Sequence, residues 1–348
     1  MNKNSDIYRL NDAEHGDDYK GSLVANFSSN VWYNADLSVL SQHLNSRMNI
    51  IGRYPEEHQA DLCTLLAENL QTESDELLIT NGSVEGIYLI AQCFAGSVSL
   101  IIKPTFSEYE KACRLNNHRI VHSTANDIEK TLAEHKPVLA WICTPNNPDG
   151  RVFDALTCEK LLQQFPHITF VFDISFREFC QTPTPFLGLV QQYSNAVFLY
   201  SFTKRYAVPG LRMGYICSNK AIIKQIGRYA IPWSVNALAA EAIRFFISNY
   251  SDNFNINNWL KDKDSFVNAL NELDGFEAIE SSTPFFLLKL KRGKAADLKK
   301  HLLQKQILVR DASSFFDDNS QYIRLLTLQP DKNNLLIQEI KLWQAQLQ

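Results

Sequence analysis

Between positions 76 and 201 the chain repeats one pattern: a short, almost uninterrupted apolar run, a turn, then a longer amphipathic segment. The apolar runs are ELLIT (76–80), VSLII (98–102), VLAWICT (138–144), ITFVFD (168–173) and AVFLYS (196–201). A strand without polar alternation must be buried on both faces, so the pattern predicts an α/β fold with a largely parallel sheet covered by helices. In such sheets ligands collect beyond the carboxyl ends of the strands. That rule gathers Gly82, Asn147, Asp173 and Lys204 along one edge, although they lie far apart in sequence.

Other segments have a different pattern. A helix is expected over 56–71, with Leu62, Leu65, Leu66 and Leu70 at helical spacing. After Tyr215 come a strand tip and helix in ICSNKAIIKQI, then long helices over 235–250 and 255–273. FEAIE, PFFLLKL, ILVR and YIRLLTL are strand candidates interleaved with helices over 295–304 and 333–346, an α+β pattern. A chain of 348 residues is too long for one small core. The expected division is an N-terminal arm (1–35), a large domain (36–240) and a small C-terminal domain (241–348).

A net charge of −4 without a basic block gives no nucleic-acid footprint. No apolar run approaches the roughly 20 residues that span a bilayer, and MNKNSDIYRLNDAEHG lacks the apolar part of a signal peptide. A cytoplasmic protein with neither membrane nor nucleic-acid partner is expected. Seven cysteines without C-x-x-C pairs read as reduced thiols, with no metal site.

The chemistry concentrates in SFTKRYAVPGLRMGY (201–215). An isolated S-x-x-K is more often a surface lysine after a strand. At the carboxyl end of a buried strand, however, Lys204 would lose hydration, its pKa would fall, and its amine would be free to form an imine. Ser201, Thr203 and Arg212 supply hydroxyls and a fixed positive charge for a phosphate. Imine plus phosphate anchor is what pyridoxal phosphate requires. The Asn81-Gly82-Ser83-Val84 turn opens a helix, whose free N–H groups attract anions. Phe106 in PTFSEY can lie flat on an aromatic ring, or simply pack. Asn147 in CTPNNPDG can donate to a phenolate oxygen, although a proline-rich turn with solvated asparagines has the same sequence. Asp173 ends an apolar strand, where a carboxylate is costly unless paired. A pyridinium nitrogen would pair it, where a helix cap or loop would be the commoner role. The order of these elements along one strand-helix series joins them into one site.

TPNNPDG, an aspartate closing a strand, and then SFTKRYAVPGLRMGY resemble the fold-type I, class I/II aminotransferase family over nearly the whole chain. The resemblance implies a large, mostly parallel-sheet domain with a smaller α+β C-terminal domain. It implies Lys204 joined to pyridoxal 5'-phosphate, Asp173 on the pyridine nitrogen, Asn147 on the phenolate and Phe106 stacked on the ring. Gly82, Ser83, Val84, Ser201 and Arg212 would surround the phosphate, with Tyr54 reaching it from the partner subunit of a homodimer. The family's D-x-A-Y pattern is broken, because Phe176 stands in place of the tyrosine and leaves Asn147 as the main donor to the phenolate.

Within the family, histidinol-phosphate aminotransferases and L-threonine-O-3-phosphate decarboxylases both take phosphorylated amines. The HG at 15–16, NFSSN, the YP pair, TKRYAVPGLRMGY and ILVRDASSF…YIRLLTL resemble the decarboxylases more closely. That implies a small phosphorylated amino acid as substrate, gripped by His15, Asn30, Arg310 and Arg324, and a product used in cobalamin. His15 read alone is a solvated loop histidine, and for Arg310 an ion pair between domains stays open. Gln329 lies near the place where a further arginine often follows the last strand. Aminotransferase-like regulators carry a DNA-reading module, and neither a helix-turn-helix nor a basic patch is found here.

Overall fold

The computed structural model describes residues 19, 21–181, 186–248, 250–316 and 321–346. A short strand, β1 (Ala25–Asn26), precedes seven that form one sheet: β2 (Leu77–Thr80), β3 (Val98–Ile102), β4 (Arg119–Ser123), β5 (Leu139–Cys143), β6 (Thr169–Asp173), β7 (Ala196–Ser201) and β8 (Gly214–Ser218). Their order is β2-β8-β7-β6-β5-β3-β4. β8 runs antiparallel to both neighbours, and the remaining pairs are parallel.

Alternate residues of the central strands supply two separate cores. Phe170, Phe172, Phe198 and Tyr200 pack on one face, Trp141, Val171, Val197 and Leu199 on the other. Burying such a side chain fully contributes about 1.5–3 kcal/mol. β4 has a different character. At the sheet edge, RIVHS buries Val121 and Ser123 and exposes Arg119 and His122, so its apolar signal is weak.

The second sheet is built from β9 (Phe276–Ala278), β10 (Phe285–Leu290), β12 (Arg310–Asp311) and β13 (Tyr322–Leu326), antiparallel in the order β12-β13-β10-β9. ILVR is split between two sheets. Its first half, β11 (Ile307–Leu308), pairs in parallel with β1, and its last residue opens β12. This pairing ties the N-terminal segment to the second core, where Phe27 and Trp32 join Phe266, Phe285 and Trp343.

The long helices lie close to their expected positions, at Ala237–Ser248 and Ile256–Asn271. The first packs Ala239, Ile243 and Phe246 into the larger core, which therefore continues past position 240. The segment expected as one helix over 56–71 is a 3-10 turn, Glu57–Gln59, then a helix, Ala60–Leu70. Gln59, left-handed at φ 52°, separates them. No disulfide joins any of the seven cysteines. Among the described residues there is no metal-binding cluster and no helix long and apolar enough to cross a membrane.

Candidate active site

Strand ends bring the site together. Lys204 sits in the helical turn Phe202–Arg205 directly after β7, Asp173 closes β6, and Asn147 follows β5. With Ser83, Val84, Phe106, Phe176, Ser201 and Arg212 they line one cavity of about 100 Å³. Gly82 shapes the wall from outside the lining. Its φ is +77°, and a Cβ there would come within 2.7 Å of Arg212 Nη2. Gly214 is needed for a related reason. Its missing Cβ lets β8 pass beneath the helix start, where it would otherwise meet the Ser83 nitrogen at 2.7 Å.

Asp173 is buried, and burial pushes its pKa up against the opposing hydrogen bonds and the Lys204 charge. Its oxygens accept from the Ser175 amide (3.0 Å) and from the Tyr109 hydroxyl (2.7 Å), both neutral donors. The carboxylate is oriented but not neutralised, which suits a cationic partner from the cavity side. The sequence alone gives Tyr109 no role; its one signal there is its place in the first turn of the helix that follows Phe106. It stacks on Trp141 (5.3 Å between centroids) and meets Phe106 edge-on (5.8 Å). Tyr109→Phe should cost about 1.5–3 kcal/mol, the range for a hydrogen bond to a charged group, measured by urea unfolding.

The two asparagines of TPNNP divide their work. Asn146 ties the loop down, accepting from Thr105 Oγ1 and donating to the Pro104 carbonyl and Asp149. Asn147 Oδ1 accepts from Arg324 Nη1 at 2.5 Å, which leaves its NH₂ group to donate elsewhere. The Phe176 ring lies edge-on to Phe285, its centroid 5.6 Å from Lys204 Nζ, and offers no hydroxyl. Burial first, then the Arg324 and Arg212 charges, pull the Lys204 pKa down to about 8. Cys143 also lines the cavity. Its thiol donates to the Pro145 carbonyl and burial pushes its pKa up, which keeps it unreactive.

Arg310 and Arg324 stand directly opposite each other on β12 and β13, both buried. Arg324 Nη2 also donates to the Ser28 carbonyl, while its Nε has no partner. Burial and then the Arg310 charge pull the Arg324 pKa down to about 9. Two crowded cations are a seat for anions. Nearby in the chain, Asn30 is buried with both amide atoms unpaired. Tyr54 is not among the lining residues. It is 85% exposed, its ring against Trp233. His15 lies outside the described residues.

The family model for aminotransferase class I and II matches residues 24–340. A threonine-phosphate decarboxylase of Salmonella typhimurium is 27% identical over 310 residues, covering 86% of this chain and 85% of that protein. The crystal structure of L-threonine-O-3-phosphate decarboxylase from Porphyromonas gingivalis is 38% identical, with a TM-score of 0.88, and covers 92% of this chain and 100% of that one. That of histidinol-phosphate aminotransferase from Clostridium acetobutylicum is 25% identical, with a TM-score of 0.83, covering 92% and 99%. This chain belongs to the aminotransferase class I and II family.

Proposed function

We propose that the chain is a pyridoxal-phosphate enzyme that decarboxylates L-threonine O-3-phosphate to CO₂ and (R)-1-aminopropan-2-ol O-phosphate, a building unit of cobalamin. The observation that carries this reading is the pair of buried arginines, Arg310 and Arg324, side by side on adjacent strands next to the lysine cavity. Two guanidinium forks suit a substrate with a carboxylate at one end and a phosphate at the other. The 38% identity to a decarboxylase of that substrate supports it.

The residues present fit the cofactor. Asp173, buried with only neutral donors, would hold the pyridine nitrogen as a cation. Asn147 would donate to the phenolate, Phe106 would cover the ring, and Ser83, Val84, Ser201 and Arg212 would hold the phosphate beside the helix start. Lys204 would carry the aldehyde carbon. When bound, the group supplies an electron sink for the pair released at the substrate α-carbon. Arg310 and Arg324, holding the substrate at two points with Asn30 and His15, fix which α-carbon bond is exposed to cleavage. Lys204 Nζ would return a proton to that carbon. Tyr54, with its exposed neighbours Ile51, Ile231 and Trp233, would meet a second copy in a homodimer whose sites are shared.

The depressed lysine pKa sets a pH dependence. Only the neutral amine attacks an aldehyde, so the rate at which apoprotein takes up pyridoxal phosphate should rise with pH and level off above about 8. Stopped-flow absorbance measures it, and a rise continuing toward the ordinary value of 10.5 would contradict the buried setting of the amine.

To test the activity, holoprotein is incubated with L-threonine O-3-phosphate without any keto acid. CO₂ and aminopropanol phosphate in equal amounts are expected. Turnover of histidinol phosphate that needs a keto acid and releases no CO₂ would replace this reading with transamination. Sequence-specific DNA retention in a gel shift, without turnover of either substrate, would replace it with a cofactor-sensing regulator.

A further inference from the structure

Lys204 lies in a helical turn of four residues, Phe202–Arg205, too short to hold its own shape, so contacts from outside must fix where its side chain starts. The Lys204 carbonyl accepts from the Trp32 amide at 2.9 Å. Four residues before Trp32, the Ser28 carbonyl accepts from Arg324 Nη2. Residues 28–32 thus form a strap running from the second sheet to the lysine turn.

The residue after the lysine holds that strap down. Arg205 Nη1 and Nη2 donate to Asp252 Oδ2 at 2.7 Å and Oδ1 at 2.8 Å, a fork closed on a carboxylate. Both side chains are mostly buried, with 15% and 11% exposure. The guanidinium lies 3.9 Å from the Phe254 ring centroid, 5.1 Å from that of Trp32 and 5.2 Å from that of Tyr206. Phe254 in turn meets Trp32 edge-on, and its amide donates to Asp252 Oδ1 at 3.0 Å. Trp32 belongs to the second core and Tyr206 packs on the larger one, so the fork sits on the seam between them. Against its burial, the Arg205 bonds and the Phe254 amide hold the Asp252 carboxyl below its usual range.

We propose that Arg205 is a positioning residue for Lys204: by clamping the strap and the segment 250–254 across the lysine turn, it fixes where the amine enters the cavity and shuts water out behind it. The proposal deepens the reading of Lys204 as the cofactor-bearing residue and rests on it. Burial is the first cause of the lowered Lys204 pKa, ahead of the Arg324 and Arg212 charges, with Asp173 and Cys143 acting the other way. Those groups stay as they are when Arg205 or Asp252 is changed, so such a change reaches the amine through its position and hydration.

Two readouts on the full-length chain test this. Labelling with acetic anhydride before cofactor loading, mapped by mass spectrometry, follows the Lys204 amine over pH. Steady-state turnover of L-threonine O-3-phosphate by holoprotein gives kcat and KM. In wild type, half-maximal labelling of Lys204 is expected at about 8. In Asp252→Asn, and further in Arg205→Gln, it should move up by about one pH unit as water reaches the amine, with the other lysines labelled as before. The kcat should fall about 10–100-fold, the cost of a misplaced reacting group, while KM stays within about twofold because the substrate-holding residues are unchanged. A clamp that only stabilises the fold would lower the urea midpoint and leave Lys204 labelling and kcat at wild-type values. That result in Asp252→Asn would overturn the proposal, even if Arg205→Gln does not fold. If both variants shift the labelling as stated but wild type releases no CO₂, the clamp stands and the decarboxylase reading falls.

Discussion

Lys204→Ala should give a folded protein without the visible imine band and with turnover reduced by at least about 10⁴-fold, since covalent attachment and proton transfer are lost together. Folding should survive, because burial and the Arg324 and Arg212 charges all disfavour the Lys204 cation, and removing it relieves that repulsion. Lys204→Arg is the control that keeps the charge. A guanidinium stays protonated and forms no imine, so this variant should also lack the band. An alanine variant that keeps both band and turnover would place the attachment elsewhere.

Asp173→Asn has the second-largest expected effect, and the sign differs between apo- and holoprotein. In the holoprotein the substitution removes one partner of a buried ion pair, which costs about 3–5 kcal/mol, or roughly 10²–10⁴-fold in cofactor affinity. Turnover should fall at least as far, because a neutral ring nitrogen withdraws electrons less well. In the apoprotein the carboxylate has only neutral donors and Lys204 nearby, and burial raises its pKa above 3.8. A raised pKa means that the folded state binds more protons than the unfolded one, so apoprotein loses stability as pH rises above 3.8 and through the raised value. The Asn variant lacks that loss. Urea unfolding of both forms from pH 4 to 8 should show the apo variant gaining relative stability across this range, while the holo variant is less stable than wild type at neutral pH.

Much of this arrangement is legible in the chain because burial on both faces writes β2, β3, β5, β6 and β7 as continuous apolar runs. Asp173, Lys204 and Asn147 follow the ends of such runs, so locating the strands locates them too. β4 is harder to see, since an edge strand alternates and carries charge. Tyr109 is hidden for another reason. Its partner Asp173 lies 64 residues away, and a tyrosine on an amphipathic helix looks like packing until the fold closes. The split of ILVR between β11 and β12 is equally tertiary. Four apolar-flanked residues suggest one strand, and the return of β1 takes half of it.

The claim on which the rest depends is covalent attachment of the cofactor to one lysine among those of the chain. Reduction of the holoprotein with borohydride, followed by proteolysis and mass mapping, tests it directly. The reduced pyridoxyl group should be found on the peptide containing Lys204 at close to one per chain. Its recovery on another lysine, or on none, would contradict the account.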